Sequence, residues 1–145
     1  MKTMRIGAAA MLAVAVLAAA GVASAVVIKG RGELTAAGNG VAVLVFRGGA
    51  SLGGIGLAVV EEDAIAGLDG HGRITRLGDG RVLLEGFGRV EIRSPDERTR
   101  VEIAGARLRL RARGVGVAYL KGVGHFMTDD HADAWGDDVS VEFEE

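Results

Sequence analysis

Glycine recurs in this chain as G-x-G at 30/32, 38/40, 54/56, 70/72, 78/80, 86/88, 114/116 and 122/124, mostly at intervals of eight residues or multiples of eight. A period of this kind outweighs any single motif in limiting what the chain can become. Cut from Gly30, the octads read GRGELTAA, GNGVAVLV, FRGGASLG, GIGLAVVE, EDAIAGLD, GHGRITRL, GDGRVLLE and GFGRVEIR. SPDE then breaks the frame, which resumes shifted by four as RTRVEIAG, ARLRLRAR, GVGVAYLK and GVGHFMTD.

The fifth and seventh octad positions are apolar nearly throughout, as in Ala42 and Leu44, Ala50 and Leu52, Val82 and Leu84, and Ala118 and Leu120. Residues two apart on a strand share a face, so each octad supplies a short strand with one apolar side. A short glycine-containing loop joins antiparallel strands, and a loop of three residues keeps the apolar side in phase. The expected fold is therefore all-β: an antiparallel meander of about a dozen short strands forming a sandwich or barrel, after an N-terminal signal helix. A β-solenoid, with three octads per rung and glycines at its corners, is the alternative. Val41, Val43, Val45, Leu57 and Val59 make the early strands apolar on both sides, which predicts burial of both. Pro95, the chain's single proline, suits the second position of a type I turn in SPDE.

The N-terminus has a different character. Lys2 and Arg5 precede an apolar run over residues 6–20, and Ala23-Ser24-Ala25 forms a small-x-small site. This is the pattern of a secretory signal peptide over residues 1–25. Because the apolar run continues through Val26, Val27 and Ile28, an uncleaved anchor reaching residue 28 is the competing reading. Either way the remainder is expected outside the cytoplasm: secreted, periplasmic or envelope-associated. About 120 residues then remain, enough for one domain with its own core. We divide them into an octad-repeat β domain over residues 26–128 and an acidic segment over 129–145, whose VSVEFE alternates like a last strand. With no cysteine, disulfides and thiol chemistry are excluded.

GASLG, residues 49–53, fits G-x-S-x-G and raises Ser51 as a nucleophile. A nucleophile elbow needs a helix directly after the serine, and GIGLAVVEED promises another strand. His71, His125 and His131 are available as bases, but no spacing selects one. No G-x-G has the strand-turn-helix context of a dinucleotide site, and no cofactor is implied. The other chemical cluster is GHFMTDDHADAWGDD, where His125, Asp129, Asp130, His131 and Asp133 are ligand types for a divalent metal. Their spacing matches no metal signature, and acidic turns are ordinarily just solvated.

Charge is unevenly placed. Without Lys2 and Arg5 the 17 basic residues become 15 against 19 acids, a net charge near −4. In ARLRLRAR, Arg107, Arg109, Arg111 and Arg113 alternate with Leu108, Leu110 and Ala112. A meander would add Arg98 and Arg100 beside them, with Arg89, Arg93 and Arg81 further along the face. Like charges opposite one another destabilise a sheet, so this face invites an anion. The candidates are the acidic tail, within the chain or across a homo-oligomer, and an external anionic envelope polymer or membrane head group. A solvated face with interspersed carboxylates is the plain alternative. Aromatic residues are too sparse for a base-stacking platform, so no nucleic acid is expected.

The octads over residues 30–124 resemble those of uncharacterised exported proteins of bacteria and archaea built from repeated G-x-G-x-apolar strands. The resemblance implies a glycine-punctuated β fold and carries no activity, cofactor or site residue with it. The function expected is non-enzymatic, a structural or binding role in the cell envelope. The alternative is a small serine hydrolase or metal-dependent enzyme using Ser51 or the His125, His131 and aspartate cluster.

Overall fold

The structure, a computed structural model, describes residues 26–137 and 139–145. The expected signal segment, residues 1–25, lies outside the described residues. Among the described residues the chain is nearly all strand, with a single 3-10 turn at Glu62–Ala64 and no α-helix. The elements are β1 (Val26–Arg31), β2 (Leu34–Glu61), β3 (Ile65–Arg76), β4 (Arg81–Met127), β5 (Ala132–Ala134) and β6 (Val139–Glu144). Together they make one open, mixed sheet. β6 lies between β1, which it pairs in parallel, and β4, which it pairs antiparallel. The VSVEFE alternation is thus a real strand, and it belongs to the same sheet as the octads. Residues 26–28, the end of the apolar run, also belong to that sheet, opposite residues 139–141.

A meander would reverse the chain at every G-x-G, and this chain does not. β2 has 28 residues and β4 has 47, and both continue through their glycines without losing the ladder. The octads are therefore segments of long strands. Most of β2 pairs on both sides with β4: Ala36 lies between Leu110 and Phe126, and Leu52 between Val90 and Leu110. One row across the sheet reads Phe126, Ala36, Leu110, Leu52, Val90, Leu68. Ala36, Leu52 and Leu68 stand two octads apart, so the period is the distance the chain travels before it re-enters the same row. The pairing is antiparallel except between β1 and β6, which excludes the solenoid, whose rungs would stack in parallel.

The glycines form creases. Gly122, Gly40, Gly105, Gly56, Gly86 and Gly72 are successive neighbours across the sheet. Gly56 has φ of +147°, and a Cβ there would strike the Ala104 carbonyl and stand 2.8 Å from the Gly105 Cα. Side chains are excluded because two backbones meet at the fold line. The sheet curls at such lines, so the apolar sides of the octads in β2 and most of β4 reach one core, while Ala66, Leu68 and Ile74 of β3 stay exposed. That core holds Leu34, Leu44, Phe46, Val60, Leu120 and Phe143, each essentially sealed from solvent. Val59 and Leu83 form a second, smaller cluster with Leu57 and Leu77. Of the five residues expected to bury a second face, Val43 and Val59 are buried, while Val41, Val45 and Leu57 are half-buried.

Among the G-x-G motifs the reversal is Gly78-Asp79-Gly80, where the Leu77 amide donates to the Arg81 carbonyl at 2.9 Å. The SPDE break is a bulge. Ser94 pairs with Gly48 and Thr99 with Phe46, so residues 95–98 loop out opposite Arg47, held by the Ser94 hydroxyl donating to the Glu97 carbonyl at 2.5 Å. The rest of the frame shift comes from Arg107, a non-glycine residue at φ +54°. Its amide donates to Asn39 Oδ1 at 2.8 Å, which secures a second, smaller bulge.

Candidate anion-binding face

Residues 109–112 of β4 lie between residues 34–37 and 50–53 of β2. Leu108, Leu110 and Ala112 are buried while Arg109, Arg111 and Arg113 are exposed, as alternation requires. Arg107 is exposed too, but as the bulge residue it stands at the crease, outside the regular alternation. The neighbouring segment is the G-x-S-x-G motif itself. Gly49 pairs with Arg93 and Arg113, Ser51 with Glu91 and Arg111, and Gly53 with Arg89 and Arg109. Two arginine-bearing segments thus flank a floor with almost no side chains, two strands apart, or about 10 Å.

This arrangement corrects the expected neighbours. Arg98 and Arg100 do not lie beside residues 109–113, because the chain between them passes through a crease at Gly105 instead of a hairpin. Arg98 sits in the SPDE bulge. Arg100 pairs with Val45, and its guanidinium holds Glu102, a carboxylate only 3 % exposed, at 2.7 Å. Arg89 and Arg93, across the Gly49–Ser51–Gly53 floor, take the places expected for Arg98 and Arg100.

Some of the charge is balanced internally. Glu33 accepts from Arg111 at 2.6 Å and also from Arg113. The Arg113 hydrogen bond, with Arg111 alongside, holds the Glu33 carboxyl below its ordinary value. Arg89 faces Glu91 at 3.3 Å. Arg93, Arg98, Arg107 and Arg109 have no ion-pair partner among the described residues. Glu33 was not legible as a partner, because it stands far from Arg111 and Arg113 in sequence and only the winding brings them together.

Among the described residues, the acidic tail does not cover this face. β6 lies against residues 115–120 of β4, with Val139, Val141 and Phe143 in the core. Among the tail's described residues, Glu145 comes near, accepting from the Gly114 amide at 3.3 Å and adding its charge to the field at Arg113.

Ser51 is a strand residue, followed by more of β2 and not by a helix. Its hydroxyl donates to Glu91 Oε1 at 3.1 Å, an acceptor already engaged by Arg89. The helix that a nucleophile elbow places directly after its serine is replaced here by strand. The His and Asp cluster does not converge: among the described residues no group of three His, Asp or Glu could hold a metal ion. Asp130 Oδ1 accepts from the Arg31 amide at 2.8 Å and from Thr128 at 3.1 Å, and lies 3.4 Å from His131 Nδ1. Asp133 Oδ1 accepts from the Ala134 amide at 2.7 Å, and the His125 carbonyl accepts from Trp135 Nε1 at 2.9 Å. Asp129 donates its amide to the Arg31 carbonyl at 2.9 Å. These contacts anchor the segment after β4 to β1, β4 and itself.

No family model, curated protein or solved structure matches the chain.

Proposed function

We propose that this chain is a non-enzymatic, extracytoplasmic β domain that binds a linear acidic polymer of the cell envelope along its arginine-bearing face. The observation that carries the reading is the bare floor of Gly49, Ser51 and Gly53, bordered by Arg89 and Arg93 on one side and Arg109, Arg111 and Arg113 on the other. A trough of this shape suits a chain of spaced anions better than a flat bilayer. Planar guanidinium groups match carboxylate and phosphate oxygens in pairs. Arg93 and Arg109, which have no internal partner among the described residues, make first contact. Arg111 and Arg113 exchange Glu33 for ligand.

The test is retention on an acidic polysaccharide and on anionic vesicles across a salt series. Retention on the polysaccharide is expected below roughly 0.1 M ionic strength, where the Debye length exceeds about 10 Å, and should fall as salt rises. Arg93→Glu with Arg109→Glu should abolish it without loss of fold. Absence of retention at low salt, or retention indifferent to this pair, overturns the proposal. Stronger retention on vesicles transfers the same face to a membrane partner.

A further inference from the structure

The core is unfinished at one edge. β3 pairs only with β4, so its other backbone edge is unpaired among the described residues. Leu68 and Ile74 stand opposite Val90 and Leu84, on the core side of the sheet. A core-facing position on a covered strand is buried, as Val90 is, yet Leu68 is 49 % and Ile74 57 % exposed. Between them and the core opens a cleft of about 240 Å³, whose walls include Leu52, Ala58, Leu84 and Leu108. Edges are normally blunted by charge, proline or a covering element. This one leaves apolar core side chains at its rim.

We infer that β3 is a homodimer interface, in which two copies pair antiparallel about a two-fold axis through His71. The sequence of β3, IAGLDGHGRITR, is complementary to itself about that residue. Asp69 of one copy falls opposite Arg73 of the other, and the reverse pair forms by symmetry. Leu68 falls opposite Ile74, which closes each cleft with the other copy's rim. Gly70 falls opposite Gly72. This last match favours a second copy as the partner. Along β3 itself, glycine already faces glycine at the crease, Gly72 with Gly86 and Gly70 with Gly88. A Cβ on Gly70 or Gly88 would press on the facing backbone, 2.6 or 2.7 Å from the partner's Cα. A partner with glycine at both of these positions extends the sheet without that clash, and a second copy carries them. The resulting contact is isologous and closed, so it ends at two copies and does not propagate.

The dimer is tested on the full chain in two ways. The chain contains no cysteine, so His71→Cys introduces the sole thiol. Directly opposed antiparallel residues have Cα atoms about 4.5–5.5 Å apart, within the span of a disulfide. Mild oxidation should convert most of this variant into a covalent dimer, while Val123→Cys, exposed on a different strand, should stay largely uncoupled. The second test exchanges charge. Asp69→Arg alone sets arginine against arginine, and Arg73→Asp alone sets aspartate against aspartate, so each should sediment as a monomer. Mixed in equal amounts they restore both pairs and should sediment as a dimer. Circular dichroism of each variant establishes that the fold survives. Monomeric wild type at high concentration, equal cross-linking at positions 71 and 123, or a mixture that remains monomeric would each overturn the inference.

Discussion

At the scale of single residues, this fold distinguishes glycines that share a motif. Gly56 and Gly78 both have positive φ, but a Cβ on Gly56 meets the backbone of residues 104 and 105, whereas one on Gly78 meets nothing within 4 Å. Gly78→Ala should cost only its backbone strain, about 1–2 kcal/mol. Gly56→Ala should cost a further 1–3 kcal/mol or so, because two strands must separate to admit the methyl group. Chemical denaturation of the two variants gives the comparison directly. Glu33 supplies a different residue-scale prediction. Its folded pKa is lowered, chiefly by the hydrogen bond from Arg113. Its contribution to stability is therefore complete above the unfolded carboxyl value of about 4.3 and is lost as pH falls through the lower folded value. Glu33→Gln should flatten stability against pH in that acidic window, relative to the wild type. The same substitution should strengthen retention on an acidic polymer at neutral pH, since it releases Arg111 and Arg113. Unchanged retention would show that those arginines take no part.

For whole elements, the most consequential prediction concerns β6. Its Val139, Val141 and Phe143 complete the core beside residues 115–120 of β4. Phe143→Ala should therefore destabilise the fold by about 3–5 kcal/mol. Removing residues 139–145 should weaken it still more and should not improve binding to anions, because this strand does not lie over the arginines. Thermal melts of both variants, paired with retention assays, separate the effects. The strand character of β6 was legible because Val139, Val141 and Phe143 alternate with polar residues. The apolar phase of β2 and β4 was legible for the same reason. Their continuity was not. A hairpin and a crease both preserve parity across G-x-G, and they differ in which distant segment lies alongside. One local difference exists: the reversal at Gly78-Asp79-Gly80 has glycine φ values of +86° and +89°, against +134° to +152° for Gly56, Gly86 and Gly105. Sequence alone does not display that angle. The arginine alternation at residues 109–113 was equally plain, but its true neighbours followed from the winding and so displaced Arg98 and Arg100.

Across the whole molecule, one principal core gathers side chains from β2, β4 and β6, and Trp135 belongs to it at 4 % exposure. Unfolding should therefore be a single cooperative transition. Tryptophan fluorescence and far-ultraviolet circular dichroism should give coincident curves, with a β-sheet spectrum at the start. Two separated transitions would show that the glycine creases divide the molecule into independent parts. The winding that builds this core has a kinetic side as well. Near the Leu77–Arg81 reversal, partners such as Arg76 and Val82 are close in the chain, whereas Thr35 must find both Arg111 and Met127. Each outward step closes a larger loop before it gains a contact, and folds dominated by such distant pairings reach the native state over milliseconds to seconds. Zippering should start at the Leu77–Arg81 reversal and proceed outward, with β1 and β6 joining last. A newly made chain of this design would pass an interval with its long edges bare, in which its fate is decided by speed and not by final stability.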